Sequence, residues 1–172
     1  MERWKTPLKD DREVVIRFLT PDDQDHLYAM FASMSEEALQ WSMAPYSEKV
    51  IERWINNYKH LIPLVAEFHN RIIGYSAIFK NPHPRMKGIA DIGCYLHQDF
   101  HGIGLGTAMT QHLLELVKDH DVHRLSALVV EENNASIQLY KKFGFTIEGT
   151  QRDAYYGNDD QYHNILIMGK IL

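Results

Sequence analysis

The segment that most limits what this chain can become runs from Gly88 to Leu116, where a strand-like alternation gives way, through a glycine-rich turn, to a helical stripe. In Gly88–His97, Ala90, Ile92, Cys94 and Leu96 fall on one side and Asp91 and Tyr95 on the other, the period of two of a strand. Beyond His101-Gly102-Ile103-Gly104-Leu105-Gly106-Thr107, the residues Leu105, Met109, Leu113 and Leu116 form an apolar helical stripe. A strand that ends in glycines and opens a helix makes an anion site. Glycines let the backbone approach a ligand and turn its N–H groups inward, and the helix N-terminus adds roughly half a positive charge and unpaired donors. Thr107 adds a hydroxyl. Taken alone, the glycines equally suit tight packing of helix on strand.

The spacing narrows the ligand. A dinucleotide fingerprint needs G-x-G-x-x-G after the first strand of a βαβ unit. Here the glycines stand at 102, 104 and 106 and follow the fourth predicted strand. A Walker A loop needs Gly-Lys-Ser/Thr, which the chain lacks.

The remaining elements read as follows. Val14, Val15, Ile16 and Phe18 mark a first strand in Glu13–Thr20, and Thr20-Pro21-Asp22-Asp23 starts a helix that runs to about Ser33. Ser35 and Ser47 are further helix starts, the second leading through Ile51, Trp54, Ile55 and Tyr58. Leu64–Phe68 and Ile72–Phe79 flank a hairpin break at His69-Asn70-Arg71, with Asn70 suited to a left-handed conformation. Arg124–Val130 is a strand, Asn133–Phe143 a helix closed by Gly144 at C′, and Phe145–Leu172 two strands joined across Tyr156–Asp160. The order β-α-α-β-β-β-α-β-α-β-β describes a mixed sheet with helices on both faces, in a single α/β domain over residues 1–172.

Asp91-Ile92-Gly93-Cys94-Tyr95-Leu96, the glycine turn, and Asn133-x-x-Ser136-x-x-x-Tyr140-x-x-x-Gly144-Phe145 together resemble the GNAT superfamily of acyl-CoA-dependent N-acetyltransferases, in element order as well as motif. The resemblance implies a mostly antiparallel seven-stranded sheet with about four helices, and acetyl-CoA as cosubstrate. It implies that His101, Gly102, Ile103, Gly104, Leu105, Gly106 and Thr107 bind the pyrophosphate, with His101 where the family usually has Arg or Gln. Cys94, Tyr95 and Leu96 then offer backbone groups to the pantetheine arm, and Asn133 joins the coenzyme site. Because the family transfers the acetyl group directly, Cys94 reads as a packing residue rather than a nucleophile. A zinc site from Cys94, His97 and His101 lacks a fourth ligand, so no metal is expected.

The chemistry needs a neutral amine and a proton for the departing thiolate. Tyr140 stands where the family places its general acid, and a phenol of pKa near 10 serves a thiol of pKa near 8.5. Asn133 lies seven residues before it, on the same helical face, and also suits the N-cap. The ribosomal-protein alanine acetyltransferase branch carries a base glutamate five residues before the motif asparagine. Leu128 occupies that position here, which leaves Asp91, and after it Glu67, as candidate bases. The tail from Gly149 to Met168 resembles RimJ/RimL-like and spermidine or amino-acid acetyltransferase branches, whose final hairpin closes over the acceptor. Tyr155, Tyr156, Asp159, Asp160 and the stretch Trp41–Tyr46 suit an acceptor pocket or a homodimer interface.

Bulk properties agree with a small-molecule enzyme. The 18 basic and 23 acidic residues give a net charge of −5, unlike the basic surface of a nucleic-acid binder and better suited to an amine or a peptide N-terminus. No apolar run reaches the roughly 18 residues of a membrane span, and none follows Met1–Lys5, so a cytoplasmic enzyme is expected. An acyl-CoA-binding sensor without turnover is the competing expectation.

Overall fold

The computed structural model describes residues 3–172. Its elements are β1 (Arg3–Pro7), β2 (Glu13–Phe18), α1 (Gln24–Ala32), α2 (Glu36–Leu39), α3 (Glu48–Asn56), β3 (Leu61–Phe68), β4 (Arg71–Lys80), β5 (Ile89–Leu96), α4 (Leu105–Leu116), β6 (Arg124–Val130), α5 (Asn134–Lys142), β7 (Thr146–Tyr156) and β8 (Tyr162–Ile171). The strands form one sheet in the order β1-β2-β3-β4-β5-β6-β8-β7. Every neighbouring pair is antiparallel except β5 and β6, which the α4 crossover joins in parallel.

One expectation needs correction: the sheet has eight strands rather than seven, flanked by five α-helices. The added strand, β1, has the sequence Arg-Trp-Lys-Thr-Pro, with a single large apolar residue. What holds it is tertiary. The Trp4 ring stacks on His112 of α4, centroids 4.7 Å apart, and lies 6.0 Å from Phe18. Pro7 is tolerated because β1 is an edge strand, where a missing N–H costs no ladder bond. The helix start expected at Ser35 is α2, a single turn capped by that residue, whose hydroxyl accepts from the Ala38 N–H at 3.1 Å.

Two cores lie on opposite faces of the sheet. One joins Leu105, Met109 and Leu113 of α4 and Ile137 and Tyr140 of α5 to Ile16, Leu64, Ile78, Ile92 and Leu125. The other joins Leu27, Met30 and Phe31 of α1 and Ile51 and Ile55 of α3 to Val65, Tyr75 and Ala77, with Trp54 stacked on Tyr75 at 5.0 Å. Both helical layers follow from apolar residues at helical spacing. Asp91 is exposed and Leu128 retains 60% of its accessible surface, so this second face is less covered over β6 than over the α1–α3 contact.

Candidate functional site

β5 and β6 pair only through Ile89–Arg124, Ala90–Leu125 and Asp91–Ser126, then diverge. Peptide groups alternate in direction along a strand, so the far half of β5 keeps one edge bound to β4 and leaves the other open. The His97 N–H donates to Ile73 of β4, while the Ile92 and Leu96 carbonyls accept from Tyr140 and His101 on the opposite side. Between those two carbonyls, the N–H and C=O of Cys94 and the N–H of Leu96 therefore point into the gap. The gap widens into a cleft of about 1120 Å³.

The glycine turn forms one end of this cleft. Gly102 (φ 74°) and Gly104 (φ 94°) occupy the left-handed region, which side chains resist, and Gly104 caps α4. A Cβ on Gly102 would meet nothing within 4 Å, so its backbone is open to a ligand. A Cβ on Gly106 would lie 3.2 Å from Leu96, so this glycine also lets α4 sit close to β5. His101, Gly102, Gly104, Leu105, Gly106 and Thr107 line the cleft. Ile103 instead packs against the core and gives its carbonyl to the Lys9 N–H. The His101 imidazole turns back onto the Leu96 carbonyl at 2.8 Å.

At the other end Asn133, the N-cap of α5, and Tyr140 within that helix both line the cleft. The Asn133 side chain accepts from the Ser136 N–H at 3.2 Å and caps the helix. Tyr140 is buried, its hydroxyl 3.5 Å from the Ile92 carbonyl where the strands part. Burial, and then the proximity of Cys94, pushes this phenol far above its ordinary pKa. Burial likewise pushes the Cys94 thiol up to about 12, which leaves it protonated.

The candidate bases separate. Glu67 is not brought to the cleft; its carboxylate receives two hydrogen bonds from Arg17 (3.0 and 2.9 Å) and one from Arg3 (3.3 Å). Asp91 lies on the open face, on the last paired residue before the strands part, and burial raises its pKa. It does not itself line the cleft.

The model described as the Acetyltransferase (GNAT) family matches residues 26–145. The chain belongs to that family. It is 24% identical over 155 residues to the L-amino acid N-acetyltransferase AaaT of Escherichia coli, covering 84% of this chain and 96% of the relative. The ribosomal-protein-alanine N-acetyltransferase of Brucella melitensis superposes with a TM-score of 0.80 at 26% identity, over 91% of this chain and 99% of that one. The Salmonella typhimurium protein yncA, solved with its cofactor acetyl-CoA, gives a TM-score of 0.79 at 19% identity, over 94% and 95% of the two chains.

The residues fit the coenzyme that GNAT enzymes use: an open glycine backbone at a helix N-terminus suits a pyrophosphate, and a free strand edge suits an amide-bearing arm. Among the lining residues of this GNAT chain that escape sequence reasoning, Lys9 and Glu132 carry charge into the site. Lys9 comes from the β1–β2 turn, and Glu132 stands just past β6, its carboxylate 3.1 Å from His163 Nδ1. His163 Nε2 in turn lies 3.0 Å from Asp159 of the β7–β8 loop, and both carboxylates raise its pKa. Register explains the contact: Val130 faces Ile165, so two residues further Glu132 meets His163. Tyr155 donates to the Gln40 or Ser42 carbonyl at 2.8 and 2.9 Å, tying the final hairpin to the loop after α2. Among the described residues, no group of three or more His, Cys, Asp or Glu could hold a metal ion, and no helix is long and apolar enough to cross a membrane.

Proposed function

We propose that this chain transfers the acetyl group of acetyl-CoA directly to a primary amine, with Tyr140 as general acid. The observation that carries the reading is the single cleft that runs from the glycine turn, along the free edge of β5, to the Tyr140 hydroxyl. Acetyl-CoA supplies an activated thioester and a thiol leaving group. The turn amides from Gly102 to Gly106 hold its pyrophosphate, with Thr107 beside them. The Cys94 and Leu96 backbones lay the pantetheine arm down as a strand would, whereas the Tyr95 backbone, expected from the resemblance to join them, faces β4. Tyr140 then points at the sulfur and gives it a proton as the carbon–sulfur bond breaks.

The acceptor must lose one proton as the carbon–nitrogen bond forms. Asp91 takes it through a water, since its carboxylate lies on the open face at the apex of the splay and its raised pKa makes it a better base. Trp41, Met43 and Leu128 wall the acceptor side of the cleft, and Met43 and Leu128 keep 76% and 60% of their surface exposed. A small amine such as an amino acid or polyamine, or a protein N-terminus, enters there.

A thiol-release assay with acetyl-CoA and a panel of amino acids, polyamines and N-terminal alanine peptides tests this function. Turnover with at least one amine is expected. Measurable acetyl-CoA binding without turnover on any acceptor would favour a sensor instead. Within the assay, Tyr140→Phe should lower kcat by about 10²-fold or more and leave acetyl-CoA affinity unchanged. Undiminished kcat would remove Tyr140 from the reaction.

A further inference from the structure

We propose that Lys9, on the turn between β1 and β2, supplies the side-chain cation for the coenzyme pyrophosphate. This rests on the acetyl-CoA reading above and names a phosphate-binding residue remote in sequence from the glycine turn. His101, at the head of the turn, spends its imidazole nitrogen on the Leu96 carbonyl at 2.8 Å. The turn at 101–107 therefore offers backbone donors and one hydroxyl, without a side-chain charge for a doubly anionic group.

Lys9 fills that gap from across the fold. Its N–H donates to the Ile103 carbonyl at 3.0 Å, which fixes its backbone against the glycine turn. Its side chain runs over Gly104: a Cβ there would lie 3.6 to 3.9 Å from Lys9 Cγ, Cε and Cδ. The turn that bears it is clamped at further points. Leu8 is buried in the core, and the Arg12 guanidinium donates to the Asp99 carbonyl at 3.0 Å and lies over the Phe100 ring at 4.2 Å. Lys9 itself is exposed and lines the cleft.

The electrostatics point the same way. Gly104 is the N-cap of α4, and an ammonium beside the positive end of a helix is unfavourable by itself. An anion placed between the two is attracted by both. Lys142, the other lysine lining the cleft, belongs to the last turn of α5 and has no such anchor in the glycine turn.

Calorimetric titration of the full chain with CoA, dephospho-CoA and acetyl-pantetheine tests the assignment, using wild type, Lys9→Met, Lys9→Arg and Lys142→Met. Lys9→Met keeps the apolar stem and should weaken CoA and dephospho-CoA alike, by about tenfold or more, the worth of one charge-assisted hydrogen bond. Lys9→Arg should restore most of the affinity, and the Lys9→Met deficit should shrink as salt rises. Acetyl-pantetheine, which has no phosphate, should bind both proteins equally. Unchanged CoA affinity in Lys9→Met overturns the proposal, as does a loss seen with CoA but not dephospho-CoA, which would move the contact to the 3′-phosphate. A deficit that persists with acetyl-pantetheine, or one carried by Lys142→Met alone, overturns it too. Failure of the wild type to bind CoA would instead sink the acetyltransferase reading.

Discussion

At the scale of single residues, the two proposed proton carriers have opposite requirements. Tyr140 must keep its proton until sulfur departs, and burial in the core between α5 and β5 ensures that. Asp91 must be ionised yet basic, and partial burial lifts its pKa from 3.8. An upward shift moves the acid limb of kcat/KM to higher pH, because the carboxyl stays protonated further toward neutrality. Asp91→Asn should abolish that limb and lower kcat/KM by about 10²-fold at neutral pH. The melting temperature at neutral pH should not fall, since ionising a group whose folded pKa is raised costs stability rather than adding it. Retention of the limb in the variant would exclude Asp91 as the base. The place of Tyr140 in the cleft was legible because its spacing from Asn133 and Gly144 is local. Glu67 was misleading for the opposite reason: the guanidinium that occupies it belongs to Arg17, 50 residues away, and no local pattern announces that. Lys9 and Glu132 were invisible on the same grounds.

At the scale of elements, the entry to α1 combines a predicted start with an unpredicted anchor. Thr20 and the acidic residues after Pro21 mark the start correctly, but the three residues Pro21–Asp23 form a 3₁₀ turn and the α-helix proper begins at Gln24. Asp23 accepts from the Thr20 N–H at 2.8 Å and from Arg17 at 2.7 and 2.8 Å, and Arg17 continues to Glu67. One guanidinium thus joins β2, β3 and the turn leading into α1. Burial pulls the Asp23 carboxyl up, but the hydrogen bonds from Arg17 and Thr20 and the charge of Arg17 outweigh it and hold the pKa below 3.8. Arg17→Met removes the main cationic partner of two carboxylates and should destabilise the fold by about 3 kcal/mol in chemical denaturation at neutral pH. The sign follows from the lowered pKa. The Asp23 share of that loss is complete above the ordinary value of 3.8 and disappears as pH falls through the folded value. A loss independent of pH down to strongly acidic conditions would contradict this account.

At the scale of the whole molecule, the sequence revealed most strands and helices and the crossover through α4, because each rests on its own periodicity. It did not reveal that β8 inserts between β6 and β7, or that β1 completes the sheet, because both depend on partners distant in the chain. The separation of β5 from β6 is also a property of the assembled sheet. Its consequence is kinetic as well as chemical. In a fully paired central strand every amide is protected from solvent, whereas here protection should alternate along β5. In hydrogen–deuterium exchange without coenzyme, the amides of Cys94 and Leu96 should exchange much faster than those of Gly93 and Tyr95, which face β4. Saturating acetyl-CoA should slow that pair selectively, since the bound arm would take the place of the strand that the sheet lacks.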